Sequence, residues 1–149
     1  MKIQLLLFSI MIFSSCRDKK TETLYPISKI SYTIINGGKP GYNSSLIISS
    51  DSMKYLEKVN GVVKIYWQKV SKNLWDSLNI VLNLSDFDKI ESGLGKEASD
   101  GTDTTVSFEK GGEIHSFTNG QTDAMHYKKI SAFMYLIETQ LARCEHKAQ

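Results

Sequence analysis

The chain has 149 residues, with 18 Lys and Arg against 16 Asp and Glu and a formal net charge of +2. The basic residues are spread along it, apart from Lys128-Lys129, which is no footprint for nucleic acid. Two cysteines, Cys16 and Cys144, are too few for a disulfide-stapled scaffold, and the length suits one domain that folds on its own core without a metal.

The first element in chain order is an apolar run. Lys2 supplies a minimal positive region, and Ile3 to Phe13 are apolar apart from Gln4 and Ser9. Secretory signals use about 7–15 such residues and a spanning helix about 20, so the run reads as a signal. It closes on Phe13-Ser14-Ser15-Cys16. That tetrad resembles the lipobox of bacterial lipoproteins, a large aliphatic residue and two small ones before a Cys, with Phe13 where Leu is usual. The resemblance implies that residues 1–15 are removed, that the Cys16 sulfur takes a diacylglyceryl group, and that the new amino terminus is acylated. It places the protein in a Gram-negative cell envelope, held by lipid to the inner or outer membrane, with its domain in the periplasm or at the cell surface. A plain signal peptide ending near Cys16, or a retained anchor helix, are the competing readings of the same residues. Residues 16–26 are charged and lack apolar periodicity, as a solvated tether would.

Residues 27–143 read as a single folded domain. Ile30, Tyr32 and Ile34 alternate with Ser31 and Thr33, the pattern of a half-buried strand. Asn36-Gly37-Gly38-Lys39-Pro40-Gly41 breaks it, and Leu46-Ile47-Ile48 is expected as a short buried strand. Met53–Val59 and Val62–Val70 flank Asn60-Gly61, a dipeptide that favours a two-residue hairpin turn. Val63, Ile65 and Trp67 fall on one face of the second strand. With Trp67 directed inward, alternation turns Tyr66 outward.

Ser71 is then placed to cap a helix carrying Leu74, Leu78, Val81 and Leu82, and Ser85 with Asp88 to cap a shorter one. Ser92–Gly101 has no periodicity and reads as a loop. Thr104, Val106 and Phe108 share a strand face, Gly111-Gly112 turns the chain, and Ile114–Thr118 returns to Asn119-Gly120. Ile130, Phe133, Met134, Ile137 and Leu141 mark a terminal amphipathic helix. Residues 144–149 are expected as a tail in which Cys144, left without a partner if Cys16 is acylated, is a frayed and inert thiol. The order of elements predicts an α+β fold: an antiparallel sheet of about six strands, a meander plus a late hairpin, with two main helices on one face.

No motif specifies a reaction. Asp100 and Asp103 bracket an oxygen-rich loop but fall short of the six to eight ligands calcium takes, and turn chemistry accounts for them. His115 and His126 lack the organised spacing of a zinc site. There is no phosphate-binding glycine loop and no G-x-S-x-G, so no cofactor or metal is expected. The rival reading, a small hydrolytic or metal-dependent enzyme, would use His115 with Asp100 or Asp103. An exposed aromatic beside a turn-rich loop suits a binding face, which directs attention to Tyr42, after the glycine-rich stretch, and to Tyr66.

An opening strand running into Gly37-Gly38-x-x-Gly41, a late strand led by Asp100 or Asp103, and a Gly-Gly turn into a strand carrying His115 are similar to small inhibitors of the emfourin type. Those proteins block thermolysin-like metallopeptidases. The likeness follows the order of elements over about two-thirds of the chain beyond Cys16, with Lys39-Pro40 where an aromatic residue is usual. It implies a fold relation and an inhibitor role with a protease as partner, and Gly37, Gly38 and Gly41 join Tyr42 and Tyr66 as candidate partner-binding residues. The expected function is thus a membrane-anchored, non-catalytic binding domain, with a small hydrolytic or metal-dependent enzyme and a structural envelope component as the alternatives.

Overall fold

The computed structural model describes residues 27–36, 42–82, 84–95 and 101–148. Six strands form one antiparallel sheet: β1 (Ile27–Asn36), β2 (Tyr42–Ile48), β3 (Ser52–Val59), β4 (Val62–Lys69), β5 (Thr102–Lys110) and β6 (Glu113–Thr118). Their spatial order is β4-β3-β2-β1-β5-β6. The first four meander. The chain then crosses one face of the sheet through α1 (Lys72–Val81) and α2 (Leu84–Phe87), so that β5 lands on the far side of β1. After β6 come a 3₁₀ turn, the short α3 (Ala124–Tyr127), a second 3₁₀ turn, and α4 (Ser131–Ala148).

Alternation selects the face that is covered. Ile30 and Tyr32 of β1, Leu46 and Ile48 of β2, Met53 and Tyr55 of β3, Val106 and Phe108 of β5, and Phe117 of β6 are all buried toward the helices. From the other side come Leu78 of α1 and Leu82 just past its end, and Phe133, Met134, Ile137, Leu141 and Cys144 of α4. Each such side chain contributes about 1.5–3 kcal/mol by leaving water. Phe87 wedges between Phe108 and Phe117, with ring centroids at 4.6 and 4.8 Å. This is the expected α+β arrangement, an antiparallel sheet with helices on one face.

The turns follow local chemistry. Asn60 (φ 50°) and Gly61 (φ 83°) are both left-handed, as are Gly111 (60°) and Gly112 (84°); two consecutive positive φ values match the right-handed twist of flanking strands. Ser71 caps α1, its hydroxyl accepting from the Leu74 N–H at 3.2 Å.

Three expectations are corrected. The strand around Leu46-Ile47-Ile48 runs from Tyr42, and Ile47 alternates away from the core instead of lying in a buried run. α2 starts at Leu84, so Ser85 lies inside its first turn and does not cap it. α4 continues through Ala148, which places Cys144 within the helix at 5% exposure rather than in a frayed end. Burial pushes the Cys144 thiol up from its ordinary range, because removal from water penalises the thiolate.

Candidate functional site

Among the described residues, the helices cover one face of the sheet and leave the other bare. On β3, Met53 and Tyr55 point to the core, so Lys54, Leu56 and Lys58 point away from it. The register brings Trp67 opposite Lys54, Ile65 opposite Leu56 and Val63 opposite Lys58. On β2, Ile47 stands beside Lys54, Ser45 beside Leu56 and Asn43 beside Lys58. Three rows therefore cross this half of the bare face, and the β4 end of each is apolar and open. Trp67 is 67% exposed, Val63 53% and Ile65 48%.

The charges on this surface share one sign. The Lys54 ammonium lies 5.2 Å from the Trp67 ring centroid, within cation–π reach. Lys69 continues the β4 series beside Ser52. Among the described residues, no carboxylate pairs with Lys54, Lys58 or Lys69. Glu57, the acidic residue of β3, belongs to the opposite face and approaches Lys64 at 3.9 Å.

The other half of the face differs in kind. Ser31, Thr33, Thr105, Ser107, Ser116 and Thr118 make it a hydroxyl surface, with Thr33 joined to Ser45 at 3.1 Å and Thr105 to Thr118 at 2.8 Å. The carboxylates of β5 are engaged. Lys29 holds Glu109 at 2.8 Å and lowers its pKa, and Asp103 accepts from the Asn119 side chain at 2.7 Å.

The residues singled out by sequence fare unevenly. Cys16, Gly37, Gly38, Gly41 and Asp100 lie outside the described residues. Tyr42 is half-buried at the start of β2. Tyr66 is reversed from expectation: it packs against the core, its ring centroid 6.2 Å from that of Tyr55, and Trp67 is the aromatic that faces outward. β3 decides this, because Tyr55 pairs with Tyr66 and carries it to the covered side.

His115 is partly exposed on the edge strand β6, stacked on Phe108 at 4.9 Å and 8° between planes. Its Nδ1 lies 2.8 Å from Asp88 and its Nε2 3.9 Å from Glu113. Asp103 is not its partner. His115 pairs with Phe108, five residues along β5 from Asp103, about 17 Å at strand rise. His126 is paired with Asp123 at 2.8 Å. Asp123 also caps α3, accepting from the His126 N–H, and these bonds hold its carboxyl below the ordinary range. Among the described residues no three His, Cys, Asp or Glu side chains converge as metal ligands.

A hollow of about 740 Å³ opens beside the Lys69 end of the sheet, lined by Ser50, Asp51, Lys69, Lys72, Trp75 and Asp76 among others. Its charges are of both signs, and Lys72 is paired with Asp76. The lysine-rimmed apolar face, by contrast, has unbalanced charge and large exposed side chains. The signal that could have found it is the series Lys54-x-Leu56-x-Lys58 opposite a Val63-x-Ile65-x-Trp67 strand. Among the described residues no helix is long and apolar enough to cross a membrane. Compared with protein-family models and with curated proteins, the chain matches none.

Proposed function

We propose that this chain is a lipid-anchored envelope protein, held by Cys16, whose α+β domain binds a macromolecular surface through the bare face of its sheet and carries out no covalent chemistry. The observation that carries the binding half is the open Val63-Ile65-Trp67 series, three large exposed side chains in a row on one face of one strand. Monomeric proteins rarely leave contiguous large apolar side chains in water without an interaction to serve. The anchor half is supported by the apolar run closing on Ser14-Ser15-Cys16. The emfourin likeness makes a protease one class of protein partner, testable by mixing the domain with thermolysin-like peptidases and looking for slowed turnover.

The anchor is tested by expressing the full chain in a Gram-negative host. The expected product begins at Cys16, carries acyl mass on that residue and sediments with membranes, while Cys16→Ser accumulates unacylated. Membrane material that starts elsewhere, or carries no added mass at Cys16, would overturn this half. A second reading, a small enzyme, rests on the His115–Asp88 pair at 2.8 Å. That pair could set the imidazole tautomer, with the proton on Nδ1 and an unprotonated Nε2, 3.9 Å from Glu113, to act as a base. It would require His115→Gln to abolish a measurable turnover.

A further inference from the structure

We propose that the β2–β4 half of the bare face docks flat onto a bilayer containing anionic phospholipid, so that the domain lies on the membrane that anchors it. The inference rests on the anchored reading for the domain's nearness to a bilayer; the chemistry of the face stands apart from that reading.

Three observations favour lipid over other occupants. First, the composition is that of an interfacial surface. Trp67 presents an amphipathic ring, Val63 and Ile65 present aliphatic groups, and Lys54, Lys58 and Lys69 stand among them. Tryptophan settles at headgroup level, and lysine can lay its stem along apolar surface while its ammonium reaches the phosphates.

Second, the charge excludes a second copy laid face to face. Such a pairing would bring lysines together with no carboxylate between them, and like charges across an interface are strongly unfavourable. Anionic headgroups supply the missing sign. Third, the domain's attachment suits contact with this half. β1 begins at Ile27, and Ser31, a few residues on, lies in the row that runs through Ile47 and Lys54 to Trp67. Three strand spacings, about 14 Å, separate β1 from β4. Residues 17–26 can span at most about 35 Å, so a lipid on Cys16 keeps the face within reach of the bilayer. The hydroxyl half across β5 and β6 offers no large apolar group to insert beyond Ile114.

The test uses the chain from residue 16, which contains every described element, with Cys16→Ser so that no acyl chain contributes affinity. Trp75→Phe leaves Trp67 as the one reporter, since the protein has two tryptophans. The expected result is cosedimentation with phosphatidylcholine vesicles containing phosphatidylglycerol and not with phosphatidylcholine alone. A blue shift of Trp67 emission should accompany it and be reversed by salt. Each surface lysine near an anionic bilayer is worth about fivefold in affinity, so Lys54→Gln, Lys58→Gln and Lys69→Gln together should weaken binding roughly 10²-fold. The same charge removed at Lys110, Lys128 and Lys129, away from the face, should change it less than about twofold. Lys58→Glu alone provides a milder variant, and circular dichroism confirms that each variant is folded.

Equal loss from both triple variants would overturn the proposal, as would absence of binding to phosphatidylglycerol vesicles. So would a dimer in light scattering that already shields Trp67, or a matching blue shift with polyglutamate and none with vesicles, which would assign the face to an acidic protein. An unmodified Cys16 in cells would refute the anchor while leaving the vesicle result standing, so the two failures are distinguishable.

Discussion

Asn119 is fully buried with a positive φ of 52°. Its side-chain amide donates to the Leu94 carbonyl at 2.8 Å and to Asp103 at 2.7 Å, while its oxygen accepts from the Thr104 N–H at 3.0 Å. One side chain thus ties the loop at Leu94 to the start of β5 and the end of β6. Asn119→Ala would strand those groups and place a Cβ residue in the left-handed region without the local bonding asparagine can make. The expected loss is about 2–4 kcal/mol in urea unfolding, combining an unpaired buried polar group with left-handed strain. Asn119→Gly should recover about 1 kcal/mol of it, because only the strain is relieved. Asn119-Gly120 was legible in the sequence as a strand end, since positive φ is a local property of those residues. The amide's role was not, because its partners come from segments far apart in the chain. Asp103 illustrates the same limit, reading as half of an acidic loop while the fold uses it as an acceptor for Asn119.

At the level of elements, the hairpins were the most legible feature and the exposed strand the least. Asn60-Gly61 and Gly111-Gly112 encode their geometry in two residues, so no long-range information is needed. Gly61 has φ +83° and open space where a Cβ would stand. Gly61→Ala should therefore cost about 1–2 kcal/mol purely through backbone strain, and D-alanine at that position should restore the melting temperature. β4 shows what alternation leaves open: it divides Tyr66 from Trp67 without saying which goes inward. Hydrophobicity favours burying Val63, Ile65 and Trp67, but pairing with Met53 and Tyr55 turns Gln68 and Tyr66 to the helices instead. The α4 end carries a pH effect of defined sign. Burial, and secondarily the charge of Glu57, raises the Glu145 carboxyl above its ordinary value. A folded-state pKa above the unfolded one means that stability is greatest below the unfolded pKa and falls as pH rises through the folded pKa. Glu145→Gln should thus raise the urea midpoint at neutral pH and leave it unchanged near pH 4. The lowered carboxyls of Glu109 and Asp123 act in the opposite sense, so the difference between variant and parent isolates Glu145.

Across the whole molecule, the covered face joins the first and last described elements into one core. β1 lies at the centre between β2 and β5, and α4, the last element, supplies Phe133, Ile137 and Leu141 to the cluster that holds Ile30 of β1. The fold class was legible because period-2 and period-3.6 patterns separate cleanly along the chain. The strand order was not, since nothing local says that β5 returns to β1 rather than extending the meander beyond β4. That closure predicts cooperative unfolding, in which the terminal helix does not leave before the sheet. Cys144 is a reporter for it. In the Cys16→Ser chain it is the sole thiol, it is 5% exposed, and burial holds its thiolate population down. Reaction with a disulfide reagent at neutral pH should be slow in the native protein, because both access and thiolate are restricted. Across a urea series the labelling rate should rise in step with the loss of far-ultraviolet ellipticity. Rapid labelling in urea too dilute to change the ellipticity would mean that the last turns of α4 open by themselves as a separate low-stability unit. Labelling that tracks the global transition would mean that the helix over the inner face and the bare outer face belong to one rigid body.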